Sequence, residues 1–291
     1  MRYDIRQRTT YTYPDAVRGS EQVMRLRPLS RLNQRVVASS LVIVPQPVSW
    51  HDSTDFFGNA TTVALIAEPH RELKITTQAR VDVDRPAPAA PTQPWEPICS
   101  EAVTAHDLGP DSPVHFIFAS PLVPLLESIG DYVRTSFMKG RPIAEAALDV
   151  AQRMKADFKY DPTATDVTTP VAQSFETRAG VCQDFAQIMI SGLRGLGIPA
   201  GYVSGYLRTD PPPGRPRLEG ADAMHAWVRV WCGAEAGWVE FDPTNGILVG
   251  NDHVVLAVGR DYSDVSPTVG TLKTYGRHAI AIAVDILPVS Q

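Results

Sequence analysis

Cysteine is scarce in this sequence, which has only three in 291 residues: Cys99, Cys182 and Cys232. An odd number of widely separated cysteines does not form a disulfide framework, and none of the three belongs to a C-x-x-C metal motif. Any chemistry that a cysteine performs in this chain therefore depends on a single residue and its neighbours.

Long apolar runs and clusters of one charge are also absent. No stretch approaches the ~18 apolar residues of a membrane span. The lysines and arginines are scattered in a chain with a net charge of −5, whereas a polyanion would need a basic patch. These absences predict a cytoplasmic protein that has neither a membrane nor a nucleic acid as its partner.

Signatures of metal and nucleotide sites are missing as well. The sequence contains no H-E-x-x-H and no P-loop pattern. The glycines of "GLGIPAG" (195–201) end an apolar-periodic run instead of opening one, and "GYVSG" lacks the spacing of a nucleophilic serine elbow. We therefore expect no metal and no organic cofactor.

The composition divides the chain into three regions. Residues 1–85 contain strand-like runs such as "VVASSLVIV" between Pro, Gly, Asn and Asp turns, which predicts a small all-β sandwich domain. Residues 86–97 are rich in proline and predict an extended linker. Residues 98–291 form the predicted second domain.

The second region changes from helical to strand periodicity. Apolar residues recur on one helical face over 122–133 and over 143–158, and again after Cys182, where Gly197 and Pro199 mark the end of a helix. Strand-like runs follow, including "HAWVRVW" and "GWVEFD". The fold class expected from this order is α+β, with helices packed on an antiparallel sheet.

In "ETRAGVCQDFAQIMISGLRGLG", Cys182 follows a glycine turn and opens the third predicted helix. The unpaired N–H groups and the dipole of a helix start favour a thiolate over a thiol. A nucleophilic thiol normally also needs an imidazole within hydrogen-bonding distance and a third group that orients the imidazole. By contrast, Cys99 and Cys232 are predicted to be small buried apolar residues.

Among the seven histidines, His225 best fits the role of this imidazole. It alternates with small apolar residues in a predicted strand, and "GWVEFDP" supplies the next strand of a hairpin. If Trp231 pairs with Ala236, His225 lies directly opposite Asp242 and on the same face of the sheet. A register shift of two residues would keep that shared face, whereas a shift of one would not. The other histidines lie in loops or at strand starts without an evident carboxylate partner: His51, His70, His106, His115, His253 and His278.

The segments "AGVCQDFA", "HAWV" and "GWVEFDPTNG", in this order, resemble the catalytic segments of the transglutaminase-like superfamily. Upstream, "DFFGN" (55–59) is similar to a turn in the small β domain that often precedes this core in bacterial members. The resemblance implies a papain-like core with Cys182 as nucleophile, His225 as base and Asp242 as orienter. It also implies Tyr160, in "FKYDP", as a candidate that assists the oxyanion.

Alternative interpretations remain for two aromatic residues and for the function. Tyr160 could instead pack on the core, and Trp227 could line an acyl-group cleft or pack against the helices. The function predicted from the resemblance is acyl transfer from an amide or peptide substrate to water. The alternatives are transfer to an amine, as in a transglutaminase or amide synthase, and a catalytically silent binding module. The oligomeric state is not encoded in any pattern of the sequence.

Overall fold

The computed structural model describes residues 1–86, 91–210, 218, 220–272 and 278–289. The helices are α1 (Glu96–Val103), α2 (Glu127–Arg134), α3 (Ile143–Asp157), α4 (Val171–Thr177), α5 (Cys182–Gly195) and α6 (Tyr262–Val265), with a short 3-10 helix at Pro113–Phe116. The strands of the first region are β1 (Arg2–Val17), β2 (Ser20–Met24), β3 (Gln34–Val44), β4 (Ser49–Thr54), β5 (Ala60–Ile66) and β6 (His70–Val83). The later strands are β7 (Lys159–Tyr160), β8 (Ala179–Gly180), β9 (Ala200–Leu207), β10 (Ala223–Trp231), β11 (Trp238–Asp242), β12 (Ile247–Leu248), β13 (His253–Gly259), β14 (Thr268–Leu272) and β15 (Ala279–Pro288).

The first six strands form the predicted β-sandwich together with two later strands. One sheet has the strand order β15-β1-β6-β3 and the other has the order β14-β2-β5-β4. Burial alternates along β6, where Leu73 and Ile75 point into the same apolar cluster as Ala64 and Ile66 of the second sheet. This period of two is what a strand with one buried face requires.

The C-terminal end of the chain also belongs to the sandwich. Strand β15 pairs with β1 over ten residues, from Tyr3 opposite Pro288 to Thr12 opposite Ala279, and β14 pairs with β2. The prediction assigned all of residues 98–291 to the second domain, but β14 and β15 belong to the sandwich. The physical reason is that β1 and β2 gain backbone hydrogen-bond partners on their open sides, which would otherwise be unpaired sheet edges.

The predicted linker, residues 86–97, is partly docked. Residues 87–90 lie outside the described part of the chain, and α1 starts at Glu96 within the predicted linker. The carbonyl of Gln93 accepts a hydrogen bond from Ile143 N at 3.0 Å, and Thr92 Oγ1 accepts one from Ala144 N at 3.0 Å. The end of the linker thus supplies acceptors to the first turn of α3, where backbone N–H groups lack partners within the helix.

The α+β core consists of helices packed on a five-stranded sheet with the order β12-β11-β10-β9-β13. Helix α5 is central and is buried on nearly all sides from Asp184 to Arg194. It packs against β9 and β10 on one side and α2 on the other. Gly197, two residues after the helix, has a φ of 77°, so this predicted C-terminal glycine does end the helix.

Two side-chain amides of the sandwich bind the outer edge of the core sheet. Gln34 Oε1 accepts from Val255 N, and its Nε2 donates to Val255 O, both at 2.8 Å. Asn59, from the "DFFGN" turn, makes the same reciprocal pair with Val258 N and O, again at 2.8 Å. Because β13 is an edge strand of its sheet, these amides take the place of a neighbouring strand. We refer to Gln34 and Asn59 with their two bonds each as the amide latch.

The "DFFGN" turn has the structure that its residues predict. Asp55 Oδ1 accepts from the backbone N–H groups of Phe57 (3.0 Å) and Asn59 (2.9 Å), and Gly58 has a φ of 77°. None of the helices in the described residues is long and apolar enough to cross a membrane.

Candidate active site

Cys182 is the first residue of α5 and is half-buried. The turn before it is fixed by Asp184, whose Oδ2 accepts from Val181 N at 2.8 Å and from Thr165 Oγ1 at 2.6 Å. A Cβ at position 180 would lie 2.6 Å from Asp184 Oδ2, so Gly180 is required for this close approach. The predicted placement of the thiol at a helix start is confirmed, and the capping role of Asp184 was not recognised from the sequence.

Tyr160 lies beside this turn. Strand β7 pairs in parallel with β8, which places Tyr160 next to Gly180. The side chain is 52% exposed, so it is not a core aromatic, in contrast to the packing alternative. The pKa of the Tyr160 hydroxyl is raised mainly by partial burial and to a smaller extent by the negative charge of Cys182. The hydroxyl therefore remains a proton donor at neutral pH.

His225 and Asp242 meet as predicted, although through a different register. Trp231 pairs with Trp238 and not with Ala236, so the hairpin is shifted by two residues from the prediction. His225 Nε2 lies 2.8 Å from Asp242 Oδ2, and the two residues are 9% and 0% exposed. The shift of two residues preserves the shared face, which is why the contact survives the error in register.

Asp242 receives hydrogen bonds on both carboxylate oxygens. Oδ1 accepts from Thr244 N (2.9 Å) and Asn245 N (3.1 Å), and Oδ2 accepts from Asn245 Nδ2 (2.6 Å) as well as from His225. Burial favours the neutral acid, but hydrogen bonds from His225, His253 and Asn245 and the charge of His225 hold the pKa of Asp242 well below its ordinary value. Asp242 is therefore a buried, fixed anion.

His225 connects this anion to the thiol. Burial opposes protonation of its imidazole, but hydrogen bonds to Asp242 and Cys182, with their charges, outweigh burial and raise the pKa of His225 above 6.5. Because Nε2 faces Asp242, Nδ1 is the ring nitrogen left for Cys182. The arrangement favours the protonated imidazolium form of His225.

His253 is a site residue that the sequence analysis missed. It was expected to have no carboxylate partner, and this expectation is wrong: its Nε2 lies 3.2 Å from Asp242 Oδ2. The reason is topological, since β13 joins the sheet beside β9, which in turn lies beside β10. Asn245 was also missed, although its position three residues after Asp242 in a turn is typical of a side chain that closes onto the turn's first residue.

Trp227 does not line an open cleft. Its side chain is fully buried, packs edge-on against His253, and donates from Nε1 to Glu240 Oε2 at 2.8 Å. The predicted substrate contact is therefore wrong, because Trp227 packs in an apolar cluster with Val203 of β9 and with Val255 and Val258 of β13. Trp227 instead belongs to the packing beneath the site.

The other two cysteines lie in apolar surroundings. Cys99 is half-buried and Cys232 is 1% exposed. Burial raises the pKa of both thiols, to about 12 for Cys232. Both results agree with the prediction that these cysteines are structural.

One group of potential metal ligands occurs in the described residues, and it consists of His225, Asp242 and His253. Their ligand atoms lie within 4.8 Å of one another. Both imidazoles direct Nε2 at the same carboxylate oxygen, at 2.8 and 3.2 Å, so hydrogen bonding accounts for the geometry. The arrangement suits a proton-holding network built around one anion.

The site therefore brings a cysteine at a helix start close to an imidazole on a sheet strand and a buried carboxylate on the next strand. Residues 3–82 match the bacterial transglutaminase-like N-terminal region, and residues 132–243 match the transglutaminase-like superfamily. An uncharacterized protein of Mycobacterium tuberculosis is 39% identical over 298 residues, covering 99% of this chain and 93% of that protein. The chain belongs to the transglutaminase-like superfamily.

Two further comparisons bear on fold and function. The crystal structure of a Cytophaga hutchinsonii protein, provisionally assigned as a cysteine protease, superposes with a TM-score of 0.75 at 21% identity. The superposition covers 100% of this chain and 92% of that chain, and the two proteins share the fold. A protein-glutamine gamma-glutamyltransferase of Pseudomonas aeruginosa is 32% identical over 126 residues, covering 37% of this chain and 19% of that protein.

Proposed function

We propose that this protein is a thiol-dependent acyl-transfer enzyme that cleaves an amide or peptide bond and passes the acyl group to water. The observation that supports the proposal most directly is the position of His225, whose Nε2 lies 2.8 Å from Asp242 Oδ2 and whose pKa is raised by both Asp242 and Cys182. This is the geometry of a nucleophile, its base and the group that orients the base.

In the first half-reaction, the Cys182 thiolate attacks the amide carbonyl carbon and forms a C–S bond. The His225 imidazolium then donates its proton to the leaving nitrogen as the C–N bond breaks, which releases an amine and leaves an acyl-thioester. In the second half-reaction, neutral His225 takes a proton from water, whose oxygen attacks the thioester. The C–S bond then breaks, which releases the carboxylic acid and restores the Cys182 thiolate and the His225 imidazolium.

Both tetrahedral intermediates carry an oxyanion that needs hydrogen-bond donors. The Tyr160 hydroxyl is the proposed side-chain donor, because Tyr160 is half-exposed next to the Cys182 turn and keeps its proton. A Tyr160→Phe variant should lose roughly 100- to 1,000-fold in kcat, the range typical of one lost oxyanion donor. Unchanged kinetics in this variant would remove Tyr160 from the mechanism but leave the triad in place.

A second candidate function is transfer of the acyl group to a primary amine. It is favoured by the resemblance of residues in the core to the Pseudomonas aeruginosa gamma-glutamyltransferase. The chemistry of the triad serves either acceptor, since water and an amine attack the same thioester. Glutamine-containing peptides, incubated with and without a primary amine and analysed by mass spectrometry, separate the two: a free acid product indicates hydrolysis, and an amine adduct indicates transfer.

The control for either activity is a Cys182→Ala variant, with Cys99→Ala as the matched substitution at a structural thiol. We expect Cys182→Ala to abolish product formation and Cys99→Ala to retain it. If a panel of peptide and small amide substrates gave no Cys182-dependent product, the alternative of a catalytically silent binding module would be favoured instead.

A further inference from the structure

Two histidines share one oxygen of the buried carboxylate. His253 Nε2 lies 3.2 Å from Asp242 Oδ2, against 2.8 Å for His225 Nε2. His253 is 2% exposed, and its ring stands edge-on to Trp227 with ring centroids 5.2 Å apart. As the first residue of β13, it is held by the sheet as well as by its side-chain contacts.

The hydrogen bonds define the protonation state of His253. An ionised carboxylate only accepts hydrogen bonds, so the His253 nitrogen that faces Asp242 must carry a proton. The other ring nitrogen, Nδ1, is buried and has no partner among the described residues. A second proton there would leave a buried N–H without an acceptor, which costs free energy. His253 is therefore a neutral donor with its proton on Nε2.

We propose that His253 is a positioning residue that shares Asp242 Oδ2 with His225 and thereby limits how strongly this carboxylate holds the His225 proton. An anion whose charge is divided between several donors stabilises each of them less than an undivided anion would. This inference rests on the proposed function, because a loosely held proton matters only if His225 must give it to a leaving group.

The surroundings of His253 contain few other groups that could produce the same effect. The titratable groups that contact His253 or act on it through their charge are Asp242, His225 and Asp252. Glu240 is linked to His253 through Trp227, and Arg208 and Tyr3 are linked to it through Asp252. Asp252 is paired with Arg208 at 2.6 Å and with the Tyr3 hydroxyl at 3.0 Å, and Glu240 is paired with Arg85 at 2.8 Å. Of this set, His225 is the group that contacts Asp242 alongside His253.

Two substitutions separate this role from simple packing. His253→Phe keeps an aromatic ring against Trp227 but removes the donor to Asp242. His253→Gln removes the ring but keeps an N–H donor of similar reach. If His253 served only to fill space, Phe would be the milder change, whereas the proposed role makes Gln the milder one.

The readout is the rate at which iodoacetamide alkylates Cys182, measured from pH 4 to pH 11 on the folded protein. In a thiolate and imidazolium pair this rate rises in two steps, one when the pair forms and one when the imidazolium loses its proton. We expect the upper step to move to higher pH by roughly 0.5 to 1 unit in His253→Phe, because Asp242 then holds the His225 proton more strongly. In His253→Gln it should stay within experimental error of the native position.

An upper step that did not move in His253→Phe, or that moved equally in both variants, would overturn the inference while leaving the triad intact. A native protein whose Cys182 showed a single step, like an ordinary free thiol, would overturn the proposed function and this inference with it. The two failures are thus distinguishable in one experiment.

A measurement on the unmodified protein covers the case in which the variants do not fold. In a long-range 1H–15N spectrum of uniformly 15N-labelled protein, His253 should show a protonated Nε2 and an unprotonated Nδ1. Detection of the opposite tautomer, or of a doubly protonated ring at neutral pH, would contradict the proposed role.

Discussion

At the scale of single residues, the three cysteines offer a direct comparison. Cys182 acts on His225 and raises the pKa of its imidazole, whereas burial raises the pKa values of Cys99 and Cys232 and suppresses their thiolates. Iodoacetamide at about pH 6, followed by peptide mass spectrometry, should therefore modify Cys182 well before the other two.

Replacement of His225 with Ala should remove most of this preference. The helix end that remains contributes only about 0.3–1 kcal/mol at an exposed site. Alkylation of Cys182 at the same rate as Cys99, or at its full rate without His225, would show that no thiolate and imidazolium pair exists.

The protonation of His225 also couples stability to pH. Its pKa is raised by folding from an ordinary value of 6.5, so the folded chain binds this proton more tightly than the unfolded chain does. The stabilisation is fully present below about pH 6.5 and is lost as the pH rises toward the folded-state pKa. The lowered pKa of Asp242 affects stability in a different pH range. Its contribution to the free energy of unfolding is lost only as the pH falls below about 4.

We therefore expect the free energy of unfolding to fall between pH 6.5 and pH 9 more steeply in the native protein than in a His225→Gln variant. Urea titrations at several pH values measure this difference. A His51→Gln variant, altered at an exposed histidine of β4, should follow the native curve. Parallel curves for the native and His225→Gln proteins would contradict the raised pKa.

At the scale of secondary structure elements, helix α5 contains two glycines with different surroundings. A Cβ at Gly192 would lie 2.3 Å from Val133 Cγ2, whereas a Cβ at Gly195 would have its nearest neighbour at 3.7 Å. Gly192 therefore permits the close packing of α5 on α2, and Gly195 does not have this function.

Alanine substitutions test this difference. Gly192→Ala should lower the free energy of unfolding by about 1–3 kcal/mol, as overpacked cores do. Gly195→Ala should be neutral or stabilising by up to ~1 kcal/mol, because alanine favours a helix more than glycine does. Chemical denaturation measures both, and equal effects of the two substitutions would refute the packing argument.

The elements also show how far the sequence determines the site. The alternation along β10 and β11 fixed which residues share a face, so the contact of His225 with Asp242 was predictable. The register was not, because the connection that includes Gly233 and Gly237, with φ values of 97° and 64°, is longer than the four-residue loop assumed. His253 was missed for a related reason, since a single strand's pattern does not encode which strand lies next to it.

At the scale of the whole molecule, the sandwich and the core interlock. Strand β1 pairs with β15 and β2 pairs with β14. The elements of the core lie between these paired strands in the sequence. The composition indicated the two regions correctly, but strand pairing between the chain's ends is a long-range property that local patterns do not contain. The N-terminal region is thus part of the structure that supports β13 and, through it, His253.

The amide latch makes this support testable. Truncation of Gln34 or Asn59 to Ala leaves a buried N–H and C=O of β13 without partners at Val255 or Val258. Each substitution should cost about 1–3 kcal/mol of stability. Gln78→Ala, at an exposed position on β6, is the matched control and should stay within about 0.5 kcal/mol of the native protein.

Hydrogen exchange locates the effect of the latch. In the doubly truncated variant, the amides of β13 should exchange faster than in the native protein, while those of β10 and β11 at the centre of the sheet should change less. This gradient is expected because β13 is the edge strand and loses its outer partner first. Uniformly faster exchange across the core sheet would mean that the two amides stabilise the molecule as a whole without a specific hold on β13.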